Sequence, residues 1–538
     1  MTKRRQRHPP TARSADRTAE RSAKRTAART AARPAAGSDG PLERLSARLA
    51  PWLPWLLAGV AVAVFLPVVR FQFLHWDDHS LVWRNPHYQP ATLDGLVQLW
   101  RSDYLGFYIP ATYTVWWLQA LVLGMDGNRF HAVNLLVHTA NVVLVYAIAR
   151  RLLEARRAPA AALLAACGAL LFAVHPLRVE TVAWVTAMKD LLSTFFALLA
   201  VFVYFRPAGP RLGPARHVPP GTLWYVLALL AKPALVTLPL VVMVLDVALR
   251  GTAWRAAVRG AWLWLLMAVP FALLTRYAQP TSMIVSIPPL WFRPFIAADA
   301  LHFYLVKLVA PLDLAPVYAR TPAWLQESGA WRWTWMTPAA LAAAAGWLAW
   351  RRRQLVPLGL LAAFVLALAP VLGIIPYLGY NLSVVADHYL YFPSLLVSLA
   401  VSLALAEARP RARTAGLALV PAAAAVLAAL TMAYLPTWRD DATLLPHAVE
   451  RAPRTSLLRM NYGEYLYSAG DYEASLAQFR AAAEILPHPD IYNNIGAALV
   501  ALRRYEEART AFEQSLAMNP ADEEVQENLA NLDRYLGR

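Results

Sequence analysis

The sequence predicts an all-α protein in which a polytopic membrane portion precedes a smaller helical repeat domain. Of its 538 residues, 58% are hydrophobic and only 16% are charged, whereas a soluble domain is about half apolar and about a quarter charged. The apolar residues also cluster into stretches long enough to cross about 30 Å of hydrocarbon as helices. The C-terminal part loses this character and becomes polar, acidic and internally repeated.

Charge is distributed unevenly along the chain. Residues 1–50 contain 13 Lys and Arg against four acidic residues, and no apolar core lies near the terminus. They are therefore predicted to form a disordered cytoplasmic extension rather than a cleaved signal peptide. Residues 437–538 contain 10 basic and 16 acidic residues. The net charge of +17 thus reflects the basic tail and connectors of a membrane protein, and nucleic acid is not an expected partner.

Basic connectors alternate with acidic ones between residues 51 and 436, the predicted membrane portion. The basic connectors are Arg150–Arg157, Arg206–Arg216, Arg250–Arg259, Arg351–Arg353 and Arg409–Arg413. Because basic connectors mark the cytoplasmic side, the alternation predicts about eleven crossings, with the N-terminus inside and the C-terminal domain outside. The Ala-, Arg- and Pro-rich composition, without an N-terminal signal or the cysteines for a disulfide, fits a bacterial inner membrane.

Most of the predicted spans are assigned without ambiguity. They lie near residues 52–70, 130–149, 160–174, 191–205, 335–350, 355–375, 389–406 and 414–434. Ile109–Gly124 would place Arg150–Arg157 outside if it crossed, so an amphipathic helix at the outer interface is predicted there. Residues 222–249 allow two topologies. A hairpin broken at Lys232-Pro233 leaves 295–312 interfacial or re-entrant, whereas one kinked span makes 295–312 cross.

The C-terminal domain, residues 437–538, contains a repeat with a period of 33 residues. The recurring positions are Gly463, Tyr472, Phe479 and Pro487, which return as Gly496, Tyr505, Phe512 and Pro520. This is the tetratricopeptide repeat (TPR) pattern, in which Gly permits close helix packing and Pro ends the repeat. Repeats are predicted at about 456–488 and 489–521, with a partial helix before them and a capping helix after them. Such an α-solenoid offers a groove for a peptide or partner protein; a purely structural module is the alternative.

Two adjacent carboxylates open the first outer connector. Asp77 and Asp78 follow the first span within His75-Trp76-Asp77-Asp78-His79. One is suited to remove a proton from an acceptor hydroxyl as a general base, and the other to orient it or bind the acceptor; a solvated acidic loop is the alternative. Hard divalent cations need more oxygen ligands than two neighbours offer, and no nucleotide-binding motif is present. Neither a metal nor another cofactor is therefore expected.

Cationic, acidic and aromatic residues gather in the other outer connectors and beside them. They are His175, Arg178, Glu180, Lys189, Lys232, Asp387, His388 and Tyr389. Cations near a membrane exit are suited to neutralise a lipid phosphate leaving group, and an intramembrane Lys needs a partner. Headgroup contacts for Arg178 and Lys189, snorkelling for Lys232 and an interfacial aromatic belt for Tyr389 are the alternatives.

Together these motifs resemble the transmembrane-and-TPR family of protein O-mannosyltransferases and their bacterial relatives, which are C-type integral-membrane glycosyltransferases. The resemblance covers nearly everything after residue 50. It rests on Trp76-Asp77-Asp78 with Asn85, Phe130-His131-x-x-Asn134-x-x-x-His138, His175-Pro176-x-x-x-Glu180, Lys232-Pro233 with Pro239 and Asp246, Tyr389-Leu390-Tyr391-Phe392-Pro393-Ser394, and the terminal repeats.

The resemblance implies transfer of a sugar, a mannose-type hexose, from a polyprenyl-phosphate donor to an acceptor such as protein Ser or Thr. The reaction would invert the anomeric carbon and take place on the extracytoplasmic face. Asp77 would be the base, with Asp78 as its close alternative. The donor phosphate or the acceptor would be bound by His175, Glu180, Lys232 and the turn Asp387-His388-Tyr389.

Two positions depart from the family pattern. Ile109 and His388 stand where family members often have Arg, so two phosphate-binding cations are missing, and Arg178 or Lys189 would have to compensate. Two other functions remain open at this stage. One is a non-enzymatic scaffold that displays the repeats, and the other is a transporter of lipid-linked sugar.

Overall fold

The computed structural model describes residues 40–206, 218–278, 284 and 286–537. The described residues are mainly helical and contain no β-strand, which confirms the all-α prediction. The helices of the membrane portion are α1 (Pro41–Leu49), α2 (Leu53–Phe65), α3 (Leu93–Arg101), α4 (Pro110–Leu123), α5 (Gly127–Ala155), α6 (Ala161–Val174), α7 (Val179–Ala183), α8 (Met188–Tyr204), α9 (Val218–Ala231), α10 (Leu238–Arg250), α11 (Trp254–Ala278), α12 (Arg293–Val309), α13 (Pro322–Ser328), α14 (Met336–Arg352), α15 (Val356–Leu368), α16 (Ser394–Glu407) and α17 (Pro410–Tyr434). The C-terminal helices are α18 (Asp441–Arg451), α19 (Ser456–Ser468), α20 (Tyr472–Ile485), α21 (Pro489–Ala501), α22 (Tyr505–Met518) and α23 (Glu523–Tyr535).

Length and composition identify five candidate membrane spans among the described residues. They are Leu53–Arg70, Gly127–Ala155, Val185–Tyr204, Trp254–Ala278 and Pro410–Trp438. A sixth results if Ala161–Val174 and Pro176–Ala183, which are bent by 60°, form one broken span. Shorter apolar helices accompany them at Gly221–Ala231, Val356–Val371 and Ser394–Glu407. The chain is a helical membrane protein, as predicted, but the predicted number of about eleven crossings is not confirmed.

A row of buried polar side chains runs along α5. They are His131, Asn134, His138 and Asn141, which lie three or four residues apart on one face of the helix. Asn134 Nδ2 donates to the Trp184 carbonyl at 2.8 Å, and His138 Nδ1 lies 2.7 Å from the Tyr391 hydroxyl. Polar groups in an apolar interior need such partners. The row therefore fixes the approach to α8 and the turn at Tyr391 relative to α5.

The segment 222–249 is a helical hairpin that reverses at Lys232-Pro233. At the turn, Lys232 Nζ lies 2.6 Å from Asp190 Oδ1, in the first turn of α8. At the far end of α10, the Tyr204 hydroxyl at the end of α8 donates to Asp246 Oδ2 at 3.3 Å. Helix α9 begins beside the end of α8 and finishes at the turn. Asp190 lies at the start of α8 and Tyr204 at its end, so α9 runs antiparallel to α8 and α10 runs parallel to it. The segment is therefore a hairpin, and the single kinked span is wrong.

The turn of the hairpin and the far end of α10 lie at opposite ends of the helix bundle. The end that carries Lys232 is called the site end, and the opposite one the basic end. The basic end carries Arg156, whose Nη1 donates to the Leu249 carbonyl at 2.9 Å. The last turn of helix α12 lies beside His175, because the carbonyl oxygen of Leu308 is 3.1 Å from His175 Nε2.

Helix α4 differs from the amphipathic helix predicted at Ile109–Gly124. Its exposed side carries apolar residues rather than polar ones: Leu118, Leu121 and Val122. On the other side, Thr112 Oγ1 donates to the Ala231 carbonyl at 2.9 Å, which packs α4 against α9. The prediction of an amphipathic helix is therefore wrong, because the polar face that it requires is absent. With 14 residues, α4 is about 21 Å long and falls short of the hydrocarbon thickness.

The predicted disordered extension, residues 1–50, is described only in its last part. Residues 1–39 lie outside the described residues, as do residues 207–217 of the connector that begins at Arg206. Residues Pro41–Leu49 form helix α1, whose Ser46 hydroxyl accepts a hydrogen bond from the Leu163 amide at 3.4 Å. This end of the extension is therefore helical and packs against α6.

The C-terminal helices explain the 33-residue spacing seen in the sequence. In both repeats a Gly on the first helix faces an aromatic ring on the second, Phe479 or Phe512. A Cβ at Gly463 would lie 2.5 Å from the Phe479 ring, and one at Gly496 would overlap the Phe512 ring. Only Gly permits helices to approach this closely. The sequence pattern therefore records helix-to-helix contact within each repeat.

Gly168 provides a test of close packing in the membrane portion. A Cβ there would overlap the Ser398 carbonyl oxygen and Ser402 Oγ of α16. We expect Gly168→Ala to lower the free energy of unfolding by about 1–3 kcal/mol, because α6 and α16 must separate. Thermal unfolding of the detergent-solubilised protein measures this. Gly59→Ala is the matched control, since nothing lies within 4 Å of its Cβ position; equal losses in both variants would contradict the argument.

Candidate active site

The two carboxylates of the first connector have different environments. Asp78 is fully buried. Its Oδ1 accepts hydrogen bonds from the Thr186 amide at 2.8 Å and the Thr186 hydroxyl at 2.5 Å, and its Oδ2 accepts one from the Leu74 amide at 3.2 Å. The Asp78 carboxylate therefore fastens this loop to the turn before α8. Its oxygens face protein donors, which argues against Asp78 as the alternative base.

Asp77 faces outward instead. Its side chain is 40% exposed, and Oδ2 lies 3.6 Å from Lys189 Nζ, whose own side chain is only 6% exposed. The Lys189 ammonium lies 5.1 Å from the ring centres of both Phe107 and Trp184. Aromatic faces attract a cation, so these rings hold the ammonium beside Asp77. The structure therefore brings together a reachable carboxylate and a nearly buried cation.

Lys232 has a partner that the sequence analysis did not include among the site residues. Asp190 Oδ1 lies 2.6 Å from Lys232 Nζ, and the two side chains are 9% and 17% exposed. The ring of Tyr389 lies 5.5 Å from the same ammonium. Asp190 Oδ2 is buried and has no hydrogen-bond partner among the described residues. The sequence indicates Asp190 only through the rule that an intramembrane Lys needs an anionic partner. Several acidic residues satisfy that rule, so it does not single out Asp190.

The Asp387-His388-Tyr389 turn is attached to α7 by Glu180. Glu180 Oε2 accepts a hydrogen bond from the His388 amide at 2.8 Å, and Oε1 lies 2.9 Å from His388 Nδ1. Asp387 Oδ1 accepts a hydrogen bond from the Tyr318 hydroxyl at 2.8 Å. Burial and the nearby Glu180 carboxylate raise the pKa of Asp387 well above its usual range. Burial therefore favours the neutral form of the Asp387 carboxyl, and Glu180 orients the His388 ring.

His175 and Arg178 contact the protein itself. Arg178 is fully buried, and it donates to the carbonyls of Leu390 and Tyr391 at 3.3 and 3.2 Å and to Ser394 Oγ at 2.6 Å. His175 Nδ1 accepts the Leu177 amide at 3.3 Å. The structure thus places Arg178 beneath the Tyr391 turn, and both ring nitrogens of His175 contact the main chain, at Leu177 and Leu308. Arg178 does not supply a free cation in place of the missing arginines.

A cavity lies between these elements at the site end. Its polar lining includes Asp190, Ser193, Thr194, Lys232, His388 and Tyr389. Leu235, Ala367 and Val371 form part of its apolar wall. The arrangement combines a cation, hydroxyl groups and an unpartnered carboxylate oxygen with an apolar surface, which suits a ligand that is polar at one end and apolar at the other. No group of His, Cys, Asp or Glu within the described ranges is suited to hold a metal ion.

The environment of Asp78 makes stability depend on pH. Burial raises the pKa of Asp78 from 3.8 to about 7, so the folded protein favours the neutral acid. The resulting stabilisation is complete below the ordinary pKa and is lost as pH rises through 7. Wild type should therefore lose on the order of 1–4 kcal/mol between pH 5 and pH 8, and Asp78→Asn, which cannot ionise, should lose less. Thermal unfolding across this range is the measurement.

The exposed control Asp94→Asn should show the same pH dependence of stability as wild type. Parallel stability curves for Asp78→Asn and wild type would refute the assignment of this pH dependence to Asp78.

Comparison with known proteins identifies relatives for both portions of the chain. A model of the tetratricopeptide repeat matches residues 489–522, in the second predicted repeat. The protein O-mannosyl-transferase TMTC1 of Mus musculus is 30% identical over 182 residues, which cover 32% of this chain and 18% of the relative. The protein O-mannosyl-transferase TMTC4 of Homo sapiens is 30% identical over 199 residues, covering 33% of this chain and 26% of the relative.

TMTC3 of Homo sapiens, also named a protein O-mannosyl-transferase, is 28% identical over 165 residues, covering 29% of this chain and 17% of the relative. The chain thus covers between 17% and 26% of the length of these three relatives. Its helices include candidate membrane spans, and its C-terminal part contains the repeat. Over these segments the chain is similar to TMTC proteins, which are named protein O-mannosyl-transferases, and it contains a tetratricopeptide repeat.

Proposed function

We propose that the protein transfers a sugar from a polyprenyl-phosphate donor to an acceptor hydroxyl, with inversion at the anomeric carbon. The observation that carries this proposal is the grouping of one reachable carboxylate, Asp77, with two largely buried ammonium groups, Lys189 and Lys232, at one end of the bundle. The names of the relatives, protein O-mannosyl-transferases, support a hexose of the mannose type and a protein acceptor. A Ser or Thr of that protein would supply the attacked hydroxyl.

The two lysines are suited to bind the phosphate of the donor. An ammonium group has three N–H donors; Lys232 directs one to Asp190 at 2.6 Å, and Lys189 pairs with Asp77 at the longer distance of 3.6 Å. Both therefore keep donors for phosphate oxygens. Charge that develops on the leaving phosphate is stabilised strongly where water is excluded. These lysines take the place of the arginines that Ile109 and His388 replace.

Asp77 is suited to act as the general base. It takes the proton of the acceptor hydroxyl as the acceptor oxygen forms a bond to the anomeric carbon. The bond between that carbon and the phosphate oxygen breaks, and polyprenyl phosphate leaves with the electron pair. A single displacement of this kind inverts the anomeric carbon. Asp78 supports the step by fixing the loop rather than by taking the proton.

The orientation and the repeats complete the proposal. The basic end faces the cytoplasm by the positive-inside rule, so the site end and the TPR domain are extracytoplasmic, at a bacterial inner membrane. Repeat arrays bind extended peptides along one face. The TPR domain would therefore recruit the protein acceptor or a partner that carries it.

The base is tested by Asp77→Asn. We expect the rate of sugar transfer to fall by about 10²–10⁴-fold, because the amide keeps the shape but cannot accept the proton. The measurement is transfer of radiolabelled sugar from polyprenyl-phosphate donors to membrane and periplasmic acceptors by the purified protein. Asp94→Asn removes an exposed carboxylate elsewhere in the same connector and should keep wild-type rates. Full activity in Asp77→Asn would move the base elsewhere, and inactivity of wild type across a broad donor panel would favour a scaffold.

The phosphate site is tested by Lys189→Met and Lys232→Met. Each variant keeps the length of the side chain but loses the charge, and we expect a fall of about 10²-fold in kcat/KM for the donor. Lys307→Met is the matched control, since the Lys307 ammonium binds the main-chain carbonyls of Leu312 and Asp313. A loss of the same size in all three variants would point to general destabilisation instead.

A further inference from the structure

The loop that carries Asp77 is held by a residue of the C-terminal domain. Asp441 Oδ1 accepts a hydrogen bond from the His75 amide at 2.7 Å, and Asp441 Oδ2 lies 2.6 Å from His75 Nδ1. The two residues are 366 positions apart in the chain. The Asp441 side chain is 10% exposed, so this pairing is largely shielded from water and correspondingly strong.

Two further contacts join the same loop to the same domain. The Gln72 amide donates to the Arg439 carbonyl at 3.0 Å. The Trp76 side chain packs against an apolar cluster that includes Ala448 and Leu458, from α18 and α19. Three positions of the loop just before Asp77 therefore contact residues that follow the last candidate span.

Helix α18 is itself well anchored. Its N-cap residue, Asp440, accepts a hydrogen bond from the Thr443 amide at 3.0 Å, which fixes the first turn, where Asp441 lies. At its other end, Arg451 Nη1 lies 2.6 Å from Asp313 Oδ1 in the membrane portion. Helix α18 also packs along α19, the first helix of the first repeat. Helix α18 thus links the repeats to the loop at the active site.

We propose that Asp441 is a positioning residue, through which the C-terminal domain sets the position of Asp77 at the active site. This inference rests on the proposed function, because it assigns Asp441 to the alignment of the proposed base. Asp77 is two residues from His75, and small errors in the placement of a catalytic group are costly to the reaction rate. The domain that recruits the acceptor would in this way also align the base that activates it.

The test compares two substitutions of Asp441 in the full-length protein. Asp441→Ala removes both acceptors, and we expect kcat to fall by about 10²-fold while the donor KM stays near wild type, since Lys189 and Lys232 lie on other elements. Asp441→Asn keeps the oxygen for the His75 amide, and its amide group can donate to His75 Nδ1 in the other ring tautomer. It should therefore retain activity within about threefold of wild type.

The matched control removes another tie between α18 and the membrane portion. Asp313→Asn weakens the pair with Arg451 but leaves His75 untouched, so wild-type kcat is expected. Equal losses in Asp313→Asn and Asp441→Ala would mean that α18 only stabilises the protein. Unchanged kcat in Asp441→Ala would overturn the proposal outright.

A second readout does not depend on sugar transfer. The reporter variant Asp77→Cys places a thiol in the loop, and the one native cysteine, Cys167, is buried. Adding Asp441→Ala should raise the rate of maleimide labelling at position 77 by at least about threefold, because the loop opens more often. Adding Asp313→Asn should leave it unchanged. Faster labelling with no transfer by wild type would retain the positioning role and reject the proposed reaction; unchanged labelling would reject the positioning role itself.

Discussion

Lys232 and Asp190 lie 2.6 Å apart inside the helix bundle, and neither charge would be tolerated there without the other. An ionised side chain in an apolar interior is expensive unless an opposite charge and hydrogen bonds compensate it. The pair places the hairpin turn at the start of α8, and the cavity opens beside it. The pair therefore fixes the hairpin turn relative to α8 at the edge of the cavity.

The remaining site residues are held by partners far away in the chain. Glu180 fixes His388, and Asp78 fixes the first connector to Thr186. Arg178 fixes the turn that follows Tyr389. In each case a buried polar side chain is satisfied by another element, which leaves few of them free for a ligand. This division separates Lys232, which lines the cavity, and the exposed Asp77 with its partner Lys189 from the residues that hold the surrounding elements in place.

The sequence determined the fold class because the relevant signals are local. Apolar stretches, basic connectors and a 33-residue repeat are all readable along the chain. Polar groups beside apolar spans are costly without a purpose, and this rule predicts several residues that lie together at the site, including Asp77, Lys189, Lys232 and His388. The order of residues along the chain does not show which of these side chains contact each other in the folded protein. Asp190 was therefore omitted from the site, although it follows Lys189 directly.

Only the tertiary structure decided the roles. Asp77 and Asp78 are neighbours of the same residue type, yet one is reachable by solvent and the other is enclosed by donors from Thr186 and Leu74. The surroundings of Ile109–Gly124 likewise made that segment a packed apolar helix instead of an amphipathic one. Hydropathy and periodicity report how a residue interacts with solvent on average. Burial and partner choice are instead set by contacts between residues tens to hundreds of positions apart, such as His75 and Asp441, and these exist only once the chain has folded.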